Sequence, residues 1–140
     1  MKTRVLDSWA ILEWMNNRQP ASERVDTLLT EAETGRTRLL MSAINVGEVY
    51  YFLRKQYSEA LAEFWRESSR TLPVTVEVPA SDDIWNAAVL KSRFPISYAD
   101  AFAAALAQKY NCPLVTGDKE FRRVDQLELD WIGSGADASV

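Results

Sequence analysis

An α/β protein built on a mainly parallel sheet is what this sequence predicts. Short apolar runs alternate with helical segments from Thr3 to Ile132, the pattern of strands joined by helical crossovers. Several of those helical segments carry their own start or stop signals, so each reads as a separate helix. A chain of 140 residues, 47% hydrophobic and 26% charged, fits one globular domain, expected over residues 1–132. The remainder, 133–140 (GSGADASV), has no pattern and is expected to be a disordered tail.

Taken in order, Thr3–Leu6 is the first expected strand, ending at Asp7. Ser8–Asn16 carries Trp9, Ile11, Leu12, Trp14 and Met15, which suits a helix buried on most sides. A second helix starts near Pro20 and Ser22 and runs to about Glu33; Gly35 stops it. The run RLLM (Arg38–Met41) is the second strand. Ser42 or Asn45 caps the helix that follows, with Ile44, Val46, Val49, Tyr50, Phe52 and Leu53 as its apolar residues. Ser58 to about Ser69 is helical, with Ala60, Leu61, Phe64 and Trp65 inward. Pro73–Val78 alternates as a strand does. Ala80–Arg93 is a helix capped at Ser81 and faced by Ile84, Ala87, Ala88 and Leu90. The stretch Ile96–Phe121 reads as a helix of small apolar residues, a loop, a strand and a turn, and Leu127–Ile132 closes the sheet.

The composition removes whole classes of chemistry. There is no His, which excludes Ser-His-Asp and Cys-His catalysis and His-ligated zinc. The single Cys112 excludes an internal disulfide and a cysteine-rich zinc site, in keeping with a reducing cytoplasm. No apolar run approaches the roughly 20 residues of a membrane span, and the opening MKTRVLDSWA has no signal-peptide layout. A net charge of −4 argues against a broad basic surface for duplex DNA. It leaves room for a polyanionic substrate, because a divalent cation held by acids reverses the local sign.

Four acids fall at strand-to-helix junctions or in first helical turns: Asp7, Glu48, Asp100 and Asp118. Each also has a capping explanation. Asp7 suits an N-cap, Asn45–Glu48 and Ser97–Asp100 resemble capping boxes, and Asp118 suits a turn or the cap of Lys119–Arg123. The capping readings say nothing about where the acids meet. A parallel sheet, however, sends all these positions to the edge where such folds bind ligands. Carboxylates gathered there repel one another unless a cation compensates, and oxygen-only donors select Mg2+ or Mn2+ over zinc.

In their order and spacing, VLDSWA (Val5–Ala10), NVGEV (Asn45–Val49), SYADAFAAALA (Ser97–Ala107) and VTGDKEF (Val115–Phe121) resemble the PIN-domain ribonucleases. Within these they are most similar to the VapC toxins of type II toxin–antitoxin pairs. The resemblance covers Val5 to about Ile132. It implies a PIN-like three-layer α/β/α sandwich and an acidic pocket holding Mg2+ or Mn2+ on Asp7, Glu48, Asp100 and Asp118. Thr116 would orient the metal-bound water or Asp118, and Ser8 matches a small polar residue after the first acid. Trp9 departs from the pattern, where a small or polar residue is more usual. Packing at a helix start is its simpler reading, with base stacking as the other.

The function expected from this reading is hydrolysis of RNA phosphodiesters by a metal-activated water, in the toxin of a toxin–antitoxin pair. Lys91, Arg93, Lys119, Arg122 and Arg123 flank the Ile96–Phe121 stretch and are candidates for holding RNA phosphates. The family implies a cognate antitoxin and a homodimer; Tyr50, Tyr51, Phe52, Phe64 and Trp65 are candidates for such a surface, with core packing an equal explanation for several of them. Two alternatives stand beside it. One is a PIN-type module that binds RNA or protein without cutting, marked by loss of acids that are all present here. The other is an aspartyl-phosphate phosphatase using Asp7, whose chemistry wants a second Asp where Trp9 stands.

Overall fold

The structure, a computed structural model, describes residues 1–135. Its strands are β1 (Lys2–Leu6), β2 (Thr37–Ser42), β3 (Thr75–Glu77), β4 (Leu114–Thr116) and β5 (Leu129–Trp131). Neighbouring strands all pair in parallel, in the order β3-β2-β1-β4-β5. The helices are α1 (Ser8–Met15), α2 (Ala21–Glu33), α3 (Ala43–Gln56), α4 (Glu59–Ser68), α5 (Ser81–Arg93) and α6 (Tyr98–Lys109), with a 3-10 turn over Lys119–Arg123. The expected α/β/α sandwich with a parallel sheet is what the chain forms.

Successive strand residues feed opposite faces, as the two-residue period of a strand requires. Val5, Leu40 and Leu114 pack with Leu90, Phe102 and Phe121 on the α5–α6 side. Leu6, Leu39, Met41 and Val115 pack with Ile11, Leu28, Val49, Leu53 and Trp65 on the α1–α4 side. Both faces of the central strands are therefore covered, which is why RLLM reads as a continuous apolar run without polar alternation. Each fully buried large side chain, Phe121 or Leu40 for example, contributes about 1.5–3 kcal/mol relative to exposure.

The chain moves outward from β1 to β2 and β3, then returns to add β4 and β5 on the other flank of β1. The order thus reverses between β1 and β4, and their carboxyl ends open on the crevice where ligands of such sheets collect. Helix α6 leads into β4 from the opposite direction, so its first turn lies at that same edge. Its sequence explains its depth: every residue from Asp100 to Ala107 is buried, and the alanines let the helix approach the sheet closely.

Helix faces and caps differ in places from the sequence expectation. In α4, Ala62 and Trp65 are buried while Phe64 is 64% exposed. The Trp65 indole N–H donates to Val46 O of α3 at 2.9 Å, and this polar anchor sets the rotation of the helix. In α3, Asn45 is buried and Ile44 partly exposed, because the Asn45 amide bonds to α6. Helix α5 buries Ala87 and Leu90 but not Ile84. Its N-terminus is closed by Asp83, which accepts from the Ala80 N–H at 2.8 Å, rather than by Ser81. Helix α2 starts after Pro20 without a side-chain cap.

Of the tail expected from Gly133 onward, Gly133 is buried beside Gly117, and 136–140 lie outside the described residues. Among the described residues no helix is long and apolar enough to cross a membrane.

Candidate active site

Asp7 follows β1 and caps α1, so its capping role is real: Oδ1 accepts from Ala10 N at 2.8 Å. Its other oxygen, Oδ2, accepts from the Thr116 hydroxyl at 2.5 Å. That bond crosses from β1 to β4 at the point where strand order reverses. The same Thr116 hydroxyl accepts from Asp118 N at 3.1 Å, so one buried threonine ties the two acids together. Asp7 is 1% exposed. Burial pushes its carboxyl up to about 8, against the bonds from Thr116 and Ala10, with the charges of Asp100 and Asp118 adding to the rise.

Asp100 is held by its helix. Ser97 caps α6, accepting from Asp100 N at 3.1 Å, which places the carboxylate in the first turn. Burial pushes this carboxyl up to about 7, and the charges of Asp118, Glu48 and Glu120 raise it further, against the hydrogen bond from Ser97. Asp118 caps the 3-10 turn, accepting from Glu120 N at 3.0 Å. Carboxylate oxygens of Asp100, Asp118 and Glu120 lie within 4.8 Å of one another.

Glu48 stands at the margin of this group. Its Oε1 accepts from the Ser8 hydroxyl and lies 3.5 Å from Asn45 Nδ2. The capping-box reading of Asn45–Glu48 is not what the structure has: Ser42 caps α3, accepting from Ile44 N at 3.2 Å. Glu48 is thereby free of capping work.

The structure therefore gathers the four acids expected from the sequence and adds Glu120, which sequence reasoning missed. Its signal was the Asp118-Lys-Glu spacing, which points both acids one way only if the segment is a tight turn. Trp9 takes the packing role: a Cβ on Gly117 would stand 2.3 Å from the edge of its ring, so the indole closes over the turn between Thr116 and Asp118.

The basic candidates separate. Lys119 and Arg123 are exposed on the 3-10 turn. Arg122 instead stacks on the Trp131 ring at 4.0 Å and reaches Gly135 O at 3.5 Å. Lys91 and Arg93 are exposed on the last turn of α5, Arg93 over the Phe94 ring. A cavity of about 280 Å³ lined by Gln108, Asn111, Cys112 and Gln126 lies at the other end of β4, away from the acids.

The sequence matches the PIN domain over residues 4–127. The chain belongs to the PIN domain family. Solved structures repeat the fold. The VapBC2 complex of Rickettsia felis, bound to a DNA fragment from its promoter, aligns with a TM-score of 0.72 at 14% identity, covering 94% of this chain and 99% of that chain. VapBC-1 of nontypeable Haemophilus influenzae aligns with a TM-score of 0.67 at 25% identity, covering 92% and 97%. VapC20 of Mycobacterium tuberculosis, a sarcin–ricin loop cleaving toxin, aligns with a TM-score of 0.69 at 16% identity, covering 84% and 92%. No curated protein sequence matches.

The acids of this PIN domain suit a hard divalent cation by their donor chemistry. They offer oxygen alone, the chain has no His, and among the described residues none of Asp7, Glu48, Asp100, Asp118 or Glu120 is in a salt bridge.

Proposed function

We propose that this PIN domain is a Mg2+- or Mn2+-dependent endoribonuclease and the toxin of a toxin–antitoxin pair. The observation that carries the reading is the close group of Asp100, Asp118 and Glu120 at the strand-order reversal, with no basic partner among the described residues. When bound there, the divalent ion supplies a water of lowered pKa and neutralises charge on the phosphate being cut. The protein's own residues prepare the place. Thr116 fixes Asp7 and the Asp118 backbone, Ser8 holds one oxygen of Glu48, and the Ser97 cap sets Asp100. Lys119 and Arg123, exposed beside the acids, bind flanking RNA phosphates.

Asp7 is poorly arranged for the phosphatase alternative, since it is buried and Trp9 stands where that chemistry wants a second Asp. All matched acids are present, which speaks against a non-cutting module. The VapBC neighbours extend the proposal to a cognate antitoxin, which covers the exposed Tyr51 and Phe64 of the α3–α4 hairpin, and the family resemblance extends it to a homodimer. Incubation of total RNA with the protein and Mg2+ tests the chemistry. Cleavage that stops in EDTA and in Asp100→Asn is expected; cleavage surviving either treatment refutes it.

A further inference from the structure

Asn45 is 0% exposed, an uncommon place for an amide. It lies in the first turn of α3, and its Nδ2 donates across to Ala99 O of α6 at 3.1 Å. The same nitrogen lies 3.5 Å from Glu48 Oε1. Ala99 immediately precedes Asp100, so one amide reaches the backbone beside one acid and the carboxylate of another. Its Oδ1 has no hydrogen-bond partner among the described residues.

The chemistry of the neighbours fixes the orientation of this amide. A carbonyl and an ionised carboxylate only accept, so reversing the amide would set Oδ1 against both and leave its donors unused. Nδ2 must face them, and the acceptor is the atom left over. An unpaired buried acceptor costs about 1–3 kcal/mol, a cost that an apolar side chain of the same shape would not carry. The bond to Ala99 O ties α3 to α6, and the approach to Glu48 is what Asn adds beyond that tie. Glu48 Oε1 is taken by Ser8 and approached by Asn45, and the Glu48 charge is felt by Asp100.

We propose that Asn45 is a positioning residue for the divalent ion. Through its Nδ2 it holds Glu48 against the α6 backbone beside Asp100, so that the carboxylate is presented from a fixed place. The inference rests on the divalent-ion reading above, and it adds a residue that no acid-based argument would select.

The test measures Mn2+ affinity of the purified protein from the free-ion paramagnetic resonance signal, in wild type, Asn45→Ala, Asn45→Leu and Asp100→Asn. The Asn45 variants should bind Mn2+ about 10–100-fold more weakly, the usual effect of removing a group that orients metal ligands. Asn45→Leu fills nearly the same volume and loses the bond to Ala99 O together with the unpaired oxygen, so its metal-free thermal midpoint should stay near that of wild type. A folded Asn45→Leu that binds Mn2+ as wild type does overturns the proposal. Should neither variant fold, the side-chain amide resonance of Asn45 in the 15N-labelled wild type decides: it should shift on Mg2+ addition, and an unmoved resonance overturns the proposal. Asp100→Asn separates the two levels. If it binds Mn2+ like wild type, or wild type binds none, the ion reading fails and takes this inference with it. If it loses binding while Asn45→Leu does not weaken it, only the role of Asn45 fails.

Discussion

Asp7 and Asp118 end neighbouring strands, both cap the turn that follows, and one threonine touches both. Their surroundings nevertheless differ. Asp7 is fully buried, with both oxygens already accepting hydrogen bonds, and its carboxyl is pushed up to about 8. Asp118 is half-buried, gives one oxygen to the Glu120 N–H, and shares a space of a few ångströms with Asp100 and Glu120. Asp7 is the more completely held by the protein and Asp118 the more open, while each carboxylate oxygen that accepts one hydrogen bond keeps a second lone pair for a cation. Thr116 joins the two, its hydroxyl proton on Asp7 and its lone pair on the Asp118 N–H.

The largest effect should come from breaking the ligand arm. Asp100→Asn removes the acid that feels the charges of Asp118, Glu48 and Glu120. Losing the ion's stabilisation of the reaction, several kcal/mol, should cut single-turnover RNA cleavage by about 1,000-fold or more. The same change relieves like-charge repulsion, so the thermal midpoint in EDTA should rise. A variant that loses activity because it loses stability would contradict the division between frame and ligand. The joint between the arms comes next. Thr116→Val keeps the shape and deletes both hydrogen bonds, leaving a buried carboxyl short of a partner at a cost of about 1–3 kcal/mol. Cleavage should fall about 10–100-fold, as when a group that orients metal ligands is lost. Unchanged activity would make Asp7 independent of Thr116.

The comparison also has a pH signature. Asp7 and Asp100 sit at about 8 and about 7, against an ordinary 3.8. Between those values the folded protein keeps protons that the unfolded chain has released, so stability falls as pH rises through this window. In EDTA the thermal midpoint should therefore drop from pH 5 to pH 8. Saturating Mg2+ should flatten that drop, because the cation compensates the carboxylates. A metal-free midpoint that climbs over the same range would mean that the acids are satisfied by the protein alone.

Much of this was legible in the chain. RLLM and the alternation of runs with helices gave the parallel sheet, because strands covered on both faces have no polar period to hide them. Ser97 announced the helix that sets Asp100. What escaped depended on contacts distant in sequence or on local geometry. Glu120 joins the acids only because Lys119–Arg123 is a 3-10 turn rather than a longer helix. Asn45 looked like a cap since Glu48 follows it by three residues, yet its partner is Ala99 on another helix. The faces of α3 and α4 are set by the bond from Trp65 to Val46 O, which no apolar periodicity records. The contact of Trp9 with Gly117 was invisible for the same reason.

That last contact makes a stability prediction confined to the frame. A Cβ at Gly117 would lie 2.3 Å from Trp9 and 2.8 Å from the Gly133 backbone, so something has to move. Gly117→Ala should cost about 1–3 kcal/mol, the usual price of overpacking. The double variant Trp9→Ala with Gly117→Ala relieves the indole clash and leaves the one with Gly133, so it should be less destabilised than the sum of the two single changes. Additive losses in thermal unfolding would show that the ring moves aside at no cost.

The smallest effects belong to Arg122 and Arg123, neighbours on the 3-10 turn with different surroundings. Arg123 is exposed, so Arg123→Ala should raise KM and lower the salt slope of RNA binding by about 1. Its thermal midpoint should hardly move. Arg122 is stacked on Trp131 and its Nε is buried, so its charge is spent within the protein. Arg122→Ala should instead lose about 0.5–1 kcal/mol of stability with the stacking contact and leave the salt slope as it was. Equal changes in salt slope for the two variants would place Arg122 on the RNA side with its neighbour. The frame would then end before this turn, at Thr116, and Trp131 would serve to aim a phosphate-binding arginine.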